Sequence, residues 1–297
     1  MKYRMEYSLK ECQSDWSNQI IEGIFEKIEY QIHIHNDVCT MELIGNGLSS
    51  IEELCRILWE ILSLYDGYFY IPTMCKIDDV EKDIDSLHKQ YYKTSQIWID
   101  NAVLLGRNQR CITEDIIISY RNFRNLGRDN QKMSKSMINA YYFVKSDSYE
   151  KINVEHTLSL LLNLCDGFII NAYGDSGAMK DKIKKAFQHI DREAIKKGLK
   201  CIGIEDADNL YFMLGEYRHE IDHYKYKEGS ISSYAKSVGV SMTSIDWYLT
   251  YFTELALRTA ILDYIGYEVK EEIKSHAAQG IVSWLFFRHM RAVDTGI

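Results

Sequence analysis

From Ile28 to Leu43 the chain alternates apolar and polar residues with a strict period of two. Ile28, Tyr30, Ile32 and Ile34 fall on one side and Glu29, Gln31, His33 and His35 on the other. After Asn36-Asp37 the alternation resumes at Cys39, Met41 and Leu43. A period of two puts alternate side chains on opposite faces of a pleated strand, and the polar pair between the runs is turn chemistry. This stretch predicts a β-hairpin with one buried face, which obliges the rest of the chain to cover it. His33 and His35 share the other face, where they read as solvent-facing positions, although a metal would also be within their geometric reach.

The preceding segment behaves the same way, with Tyr3, Met5, Tyr7 and Leu9 opposite Lys2, Arg4, Glu6 and Ser8. Gly45-Asn46-Gly47 ends the hairpin, and Ser50 with Glu53 forms a capping box for a helix. That helix carries Leu54, Ile57, Leu58, Ile61 and Leu62 as its apolar stripe and stops at Asp66-Gly67. Tyr68 to Pro72 reads as an extended exit. Thr113-Glu114-Asp115 starts a further helix over Ile116–Phe123, and Arg121, Arg124 and Arg128 read as a solvated helix face or a phosphate contact. A polar stretch, Lys145-Ser-Asp-Ser-Tyr149, predicts a domain boundary.

Beyond that boundary the pattern is helical. An apolar helix over 154–173 ends at Gly174-Asp-Ser-Gly177, and a final long helix over 244–264 follows Thr243 and Asp246, which read as its capping box. Residues 270–297 read as another helix. A single proline, Pro72, suits long uninterrupted helices. The fold class is therefore α+β: an N-terminal mixed α/β domain over 1–145, then a helical domain over 150–297.

The net charge of −8 argues against a generic nucleic-acid coat but not against one basic cleft. Positive charge is concentrated in 178–200, with eight Lys/Arg against three Asp/Glu. Lys182, Lys184 and Lys185 there, and Lys225 further on, are candidate phosphate contacts. Seven cysteines include no C-x-x-C pair, as expected of reduced core thiols rather than a disulfide framework or a cysteine zinc site. The N-terminus lacks the apolar core of a signal peptide, and charges interrupt every apolar stretch short of the ~20 residues of a membrane span. A cytoplasmic protein that uses no membrane is the expectation.

Two chemistries can be read from Glu216-Tyr-Arg-His-Glu-Ile-Asp-His-Tyr-Lys-Tyr226. His219, Glu220 and His223 spell H-E-x-x-H, in which two imidazoles on one helix face bind zinc and the glutamate is general base. Glu254 would be the third ligand. Arg218 and Asp222 oppose that reading, because a cation beside the metal is repulsive and zincin motifs sit among apolar residues. Alternatively, Arg218 and His223 suit metal-free RNA cleavage. Histidine titrates near neutrality and can move a proton at the 2′-hydroxyl or the leaving 5′-oxygen. Arginine keeps its charge and grips phosphate oxygens with a planar fork. Five residues along a helix is about 500°, so the two side chains start roughly 140° apart and meet at a helix end or in a cleft. A plain reading remains, in which Arg218, Glu220 and His223 are surface residues pairing with one another.

Tyr217-Arg218-His219-Glu220-Ile221-Asp222-His223-Tyr224 resembles the R-x4-6-H signature of the HEPN superfamily. The apolar helix before it and the later helix with Leu255-Ala-Leu-Arg258 match that family's layout over roughly 150–270. With a β-containing N-terminal region, the chain is similar to the ApeA-like anti-phage HEPN proteins. The resemblance implies an all-α HEPN-like bundle and a metal-independent endoribonuclease, without cofactor, acting on RNA such as tRNA. It also implies a homodimer with a composite site, controlled in defence by a phage-derived trigger. Arg218 and His223 carry over as the reactive pair and His219 as the polar neighbour. Where relatives carry a glutamate in the first helix, Asp166 stands here, as a support for Arg218, with Glu220 a second supporting residue. An inactive HEPN-like binding or sensing module is the alternative the same resemblance allows.

Overall fold

A computed structural model describes residues 1–8, 19–35, 38–66, 70–84, 111–126, 154–188, 196, 200, 211, 214–218 and 242–267. Six antiparallel strands form one sheet: β1 (Lys2–Ser8), β2 (Gln19–Phe25), β3 (Ile28–His35), β4 (Val38–Ile44), β5 (Ile71–Ile77) and β6 (Val80–Lys82). Their order is β2-β3-β4-β1-β5-β6, so the first strand lies inside the sheet. The expected β3–β4 hairpin is present, pairing Ile32 with Met41 and Tyr30 with Leu43. Its buried face holds Ile28, Tyr30, Ile32, Ile34, Cys39, Met41 and Leu43, continued on β1 by Tyr3, Met5 and Tyr7. Glu29, Gln31, His33 and His35 share the other face.

Pro72 lies inside β5, and the topology explains why that is tolerated. Among the described residues β6 pairs only with Cys75, Lys76 and Ile77, and nothing else pairs with the outer side of the first half of β5, so no outward N–H donor is called for there. The β1–β5 register shifts between Glu6 and Tyr7, beside the Tyr7–Pro72 pair.

Helix α1 (Leu48–Asp66) covers the sheet. It begins before the expected capping box, with the Ile51 amide donating to the Gly47 carbonyl at 3.2 Å, so Ser50 lies within its first turn. Its second half is buried on every side, including Glu60 and Ser63. The helix is thus a middle layer rather than an amphipathic surface helix. On its far side lie α2 (Glu114–Arg124) and the C-terminal α5 (Met242–Tyr264). Helix α2 starts where expected: Thr113 caps it, its hydroxyl accepting from the Ile116 amide at 3.4 Å.

Helices α3 (Val154–Tyr173) and α4 (Met179–Phe187) complete the described elements, with α3 packed along α5. Gly174 adopts a φ of +65° at the end of α3, where a left-handed residue terminates a helix most readily. Helix α5 begins at Met242, so Thr243 is inside it rather than capping it. The predicted boundary at 145–149 and the predicted helix over 270–297 lie outside the described residues. Among the described residues no helix is long and apolar enough to cross a membrane.

Two arginines of the expected basic cluster are otherwise engaged. Arg124 is buried and pairs with Glu60 at 3.1 Å, while Arg121 bonds Glu26 at 2.9 Å and lies over the Phe25 ring. Both tie helices to one another or to the sheet, and Arg128 lies outside the described residues.

Candidate functional site

The candidate site is built from three pieces of the helical half. Helix α3 is an apolar rod in which Leu158, Leu161, Leu162, Cys165, Phe168 and Ile169 are buried. Asn163 and Asp166 interrupt that run three residues apart, a spacing that puts both on one face. Residues 214–218 are helical, and their position is fixed by the buried Leu214 and Tyr217. Helix α4 lies alongside: Phe187 meets Tyr211 edge to face at 5.7 Å.

This packing brings Arg218 to the polar face of α3. Its Nε donates to Asn163 Oδ1 at 2.6 Å, and Nη2 leans on Asp166 Oδ2 at 3.4 Å. The other oxygen of Asp166 accepts from Lys182 Nζ at 2.5 Å. One carboxylate therefore serves two cations. The three charged side chains are not equally sunk: 31% of the Arg218 side chain is exposed, against 18% for Asp166 and 10% for Lys182. The arginine is the member that meets solvent.

The remaining sequence candidates divide clearly. Asp166 stands beside Arg218. Lys182, read from sequence as an RNA contact, is instead buried against Asp166. Lys180 and Lys184 are exposed on the same helix, and Lys196 and Lys200 are exposed beyond it. Lys185 bonds Asp175 at 2.7 Å and lies over the Tyr173 ring. The Lys185 hydrogen bond, with one from the Gly177 amide, lowers the Asp175 pKa. His219, Glu220, His223 and Lys225 follow Arg218 in the chain and lie outside the described residues.

Asn163 was not among the residues singled out by sequence. Its signal was nevertheless present: two polar residues, three apart, on one side of an otherwise leucine-rich helix.

The third zinc ligand proposed from sequence, Glu254, is buried and pairs with Arg258 one turn later at 3.3 Å. A metal there would have to compete with a guanidinium for the carboxylate. Among the described residues no group of three His, Cys, Asp or Glu side chains is arranged to hold a metal ion. No protein-family model, no curated protein and no solved structure matches the chain.

Proposed function

We propose that this chain is a metal-independent endoribonuclease of the HEPN type, cytoplasmic and acting as a homodimer through its helical half. Arg218 is the phosphate-binding cation and His223 the proton-transfer group, with His219 their polar neighbour. The 2′-oxygen attacks phosphorus and the 5′-oxygen leaves, giving a 2′,3′-cyclic phosphate and a 5′-hydroxyl. Arg218 stabilises the charge that accumulates on the phosphorane oxygens, the moment at which a preorganised donor contributes most. The biological setting the reading implies is prokaryotic defence against phage, with tRNA or other RNA as substrate and a phage-derived trigger.

The observation that carries this reading is the support of Arg218. An isolated surface arginine is flexible; this one is bonded through Nε to Asn163 and leans with Nη2 on Asp166 while the side chain stays partly exposed. The exposed lysines of α4 and of residues 196 and 200 offer a basic approach for a phosphate backbone.

The test is incubation of the purified chain with tRNA and total RNA, with and without EDTA. Cleavage that survives EDTA and disappears in both Arg218→Ala and His223→Ala is the expected result. Intact RNA under all conditions, or cleavage indifferent to both substitutions, sinks the proposal. Light scattering of the wild-type protein checks the dimer.

A further inference from the structure

We propose that the edge strand β2 is a docking site for an extended strand of a partner protein, one that sets a lysine or arginine against Glu22 between two apolar residues. The inference does not rest on the ribonuclease reading.

The hairpin turn fixes which way the backbone of β2 points. Glu26 and Lys27 both adopt left-handed φ values, so a two-residue turn of the tight hairpin type joins β2 to β3. A hydrogen-bonded pair closes such a turn, here Phe25 with Ile28, and bonded and non-bonded pairs alternate from it along an antiparallel ladder. Gly23–Tyr30 and Ile21–Ile32 are therefore bonded pairs, whereas Ile24–Glu29, Glu22–Gln31 and Ile20–His33 are not. The N–H and C=O groups of Ile20, Glu22 and Ile24 consequently point away from β3, toward the rim of the sheet. Among the described residues β2 is the outermost strand on that side.

The side chains of the same three residues complete the site. Ile21 and Phe25 are buried on the core side, so Ile20, Glu22 and Ile24 stand together on the other face. Ile20 and Ile24, 60% and 65% exposed, are the most exposed large apolar side chains among the described residues. Glu22 meets Gln31 at 3.4 Å, and Ile24 lies across the ladder from Glu29. Among the described residues neither carboxylate has a cation beside it, in contrast to Glu42 on β4, which pairs with Lys2 and Arg4. An apolar–acidic–apolar row beside outward main-chain groups is the complement of an added strand. The ladder supplies affinity, and pairing of alternate side chains supplies selectivity.

Sheet edges are ordinarily blunted by shortness, lysine, proline or a bulge. The opposite edge follows that rule, since β6 has three residues and carries Glu81 and Lys82. Strand β2 runs for seven residues with no lysine or proline and in unbroken register with β3. A second copy of β2 is a poor occupant. Antiparallel pairing about a two-fold axis at Glu22 sets that residue directly against its counterpart, and like charges opposite one another destabilise a sheet. Sliding the register by two residues sets the carboxylate against an isoleucine instead. A foreign strand with a central cation satisfies Glu22 and keeps apolar residues over Ile20 and Ile24.

The probe is a synthetic peptide blocked at both ends, Thr-Val-Thr-Lys-Thr-Val-Thr, added in excess to the full chain. Amide hydrogen exchange is read residue by residue. In the chain alone the amides of Ile20, Glu22 and Ile24 exchange quickly while those of Ile21 and Gly23 are protected, and the peptide slows the first three by ~10-fold or more. Replacing the peptide's lysine by glutamate raises the concentration for half-maximal protection ~10-fold, because an attractive cross-strand pair becomes a repulsive one. Glu22→Lys reverses that preference. Methylation of the lysine amide nitrogen abolishes protection, because that N–H faces β2, whereas methylation at an adjacent threonine leaves it intact. The peptide series alone decides the matter should Glu22→Lys fail to fold. Edge amides already protected in the chain alone at every protein concentration would show that another segment of the same chain holds the edge, and the proposal falls. Protection that grows with protein concentration would assign the edge to a second copy and equally overturn it. Peptides that protect nothing, or that bind alike with lysine or glutamate at the centre, also overturn it.

Discussion

Arg218 donates its Nε–H to the amide oxygen of Asn163 at 2.6 Å, and this makes removal of Asn163 informative. Asn163→Ala deletes a charge-assisted hydrogen bond of about 1.5–3 kcal/mol, so initial rates of RNA cleavage should fall by about 10- to 100-fold. The melting temperature should move little, because Asn163 is only partly buried. Cleavage rates and melting curves of that one variant check both statements. Arg218 was singled out by its motif and Asp166 by the resemblance, while Asn163, three residues from Asp166 on the same side of a leucine-rich helix, offered only a polar spacing that names no chemistry. The inward turn of Lys182 was legible in principle, since it lies at helical spacing from Ala186 among four lysines that composition alone makes equivalent. Gly23 is a second residue with a strict requirement: a Cβ there would stand 2.4 Å from the Tyr30 hydroxyl, which is itself bonded to the Ile112 carbonyl at 3.1 Å. Gly23→Ala should lower the unfolding free energy by about 1–3 kcal/mol through overpacking, measured by urea titration.

At the scale of elements, the alternation of β1, β3 and β4 could be read directly, but β2 and β6 could not. In β2, Ile20 and Ile24 face outward, 60% and 65% exposed, while Ile21 faces in, so apolar residues on both faces erase the period. The turns that join the missed strands also lack glycine. Glu26-Lys27 and Asp78-Asp79 take φ values of 48°, 67°, 47° and 61°, the left-handed pair of a tight hairpin built from residues that do not advertise it. Lys27→Gly should therefore stabilise the protein. Relief of a left-handed side chain, about 1–2 kcal/mol, exceeds the added chain entropy of glycine, about 0.5–1 kcal/mol, and denaturant midpoints read the difference. Glu26 is better left in place for its bond to Arg121. The clamp between α1 and α2 carries a pH signature. Burial raises the Glu60 pKa above its ordinary value of 4.5, against the opposing pull of Arg124 and the Tyr120 hydroxyl bond. The folded state then holds the proton more tightly than the unfolded one. The contribution of Glu60 to stability is complete below the ordinary glutamate value and is lost as pH rises through the raised one. Unfolding free energy should decline across that window by at most about 1.4 kcal/mol per pH unit. Glu60→Gln, which cannot titrate, should remove that part of the slope.

At the scale of the whole molecule, aromatic rings join the sheet half to the helical half among the described residues. Phe123 of α2 lies 5.8 Å from Phe168 of α3 and 6.3 Å from Tyr264 of α5, and Phe168 meets Tyr264 almost perpendicularly at 5.8 Å. Tyr65, near the end of α1, packs edge-on against Tyr267 at 4.8 Å. Helix α3 carries Asn163 and Asp166 on the same rod that carries Phe168, so the ring cluster and the site share one rigid element. This coupling could not be foreseen from the sequence, where Phe123 and Phe168 are two apolar positions in separate helices. Phe123→Ala removes the ring common to three helices, and a fully buried phenylalanine replaced by alanine costs about 3–5 kcal/mol. Because the contacts span both halves, the loss should lower hydrogen-exchange protection of β1, β4 and α3 together, within one unfolding transition. A variant in which α3 loses protection while the sheet keeps it would show that the two halves unfold separately, and that the rings touch without coupling them.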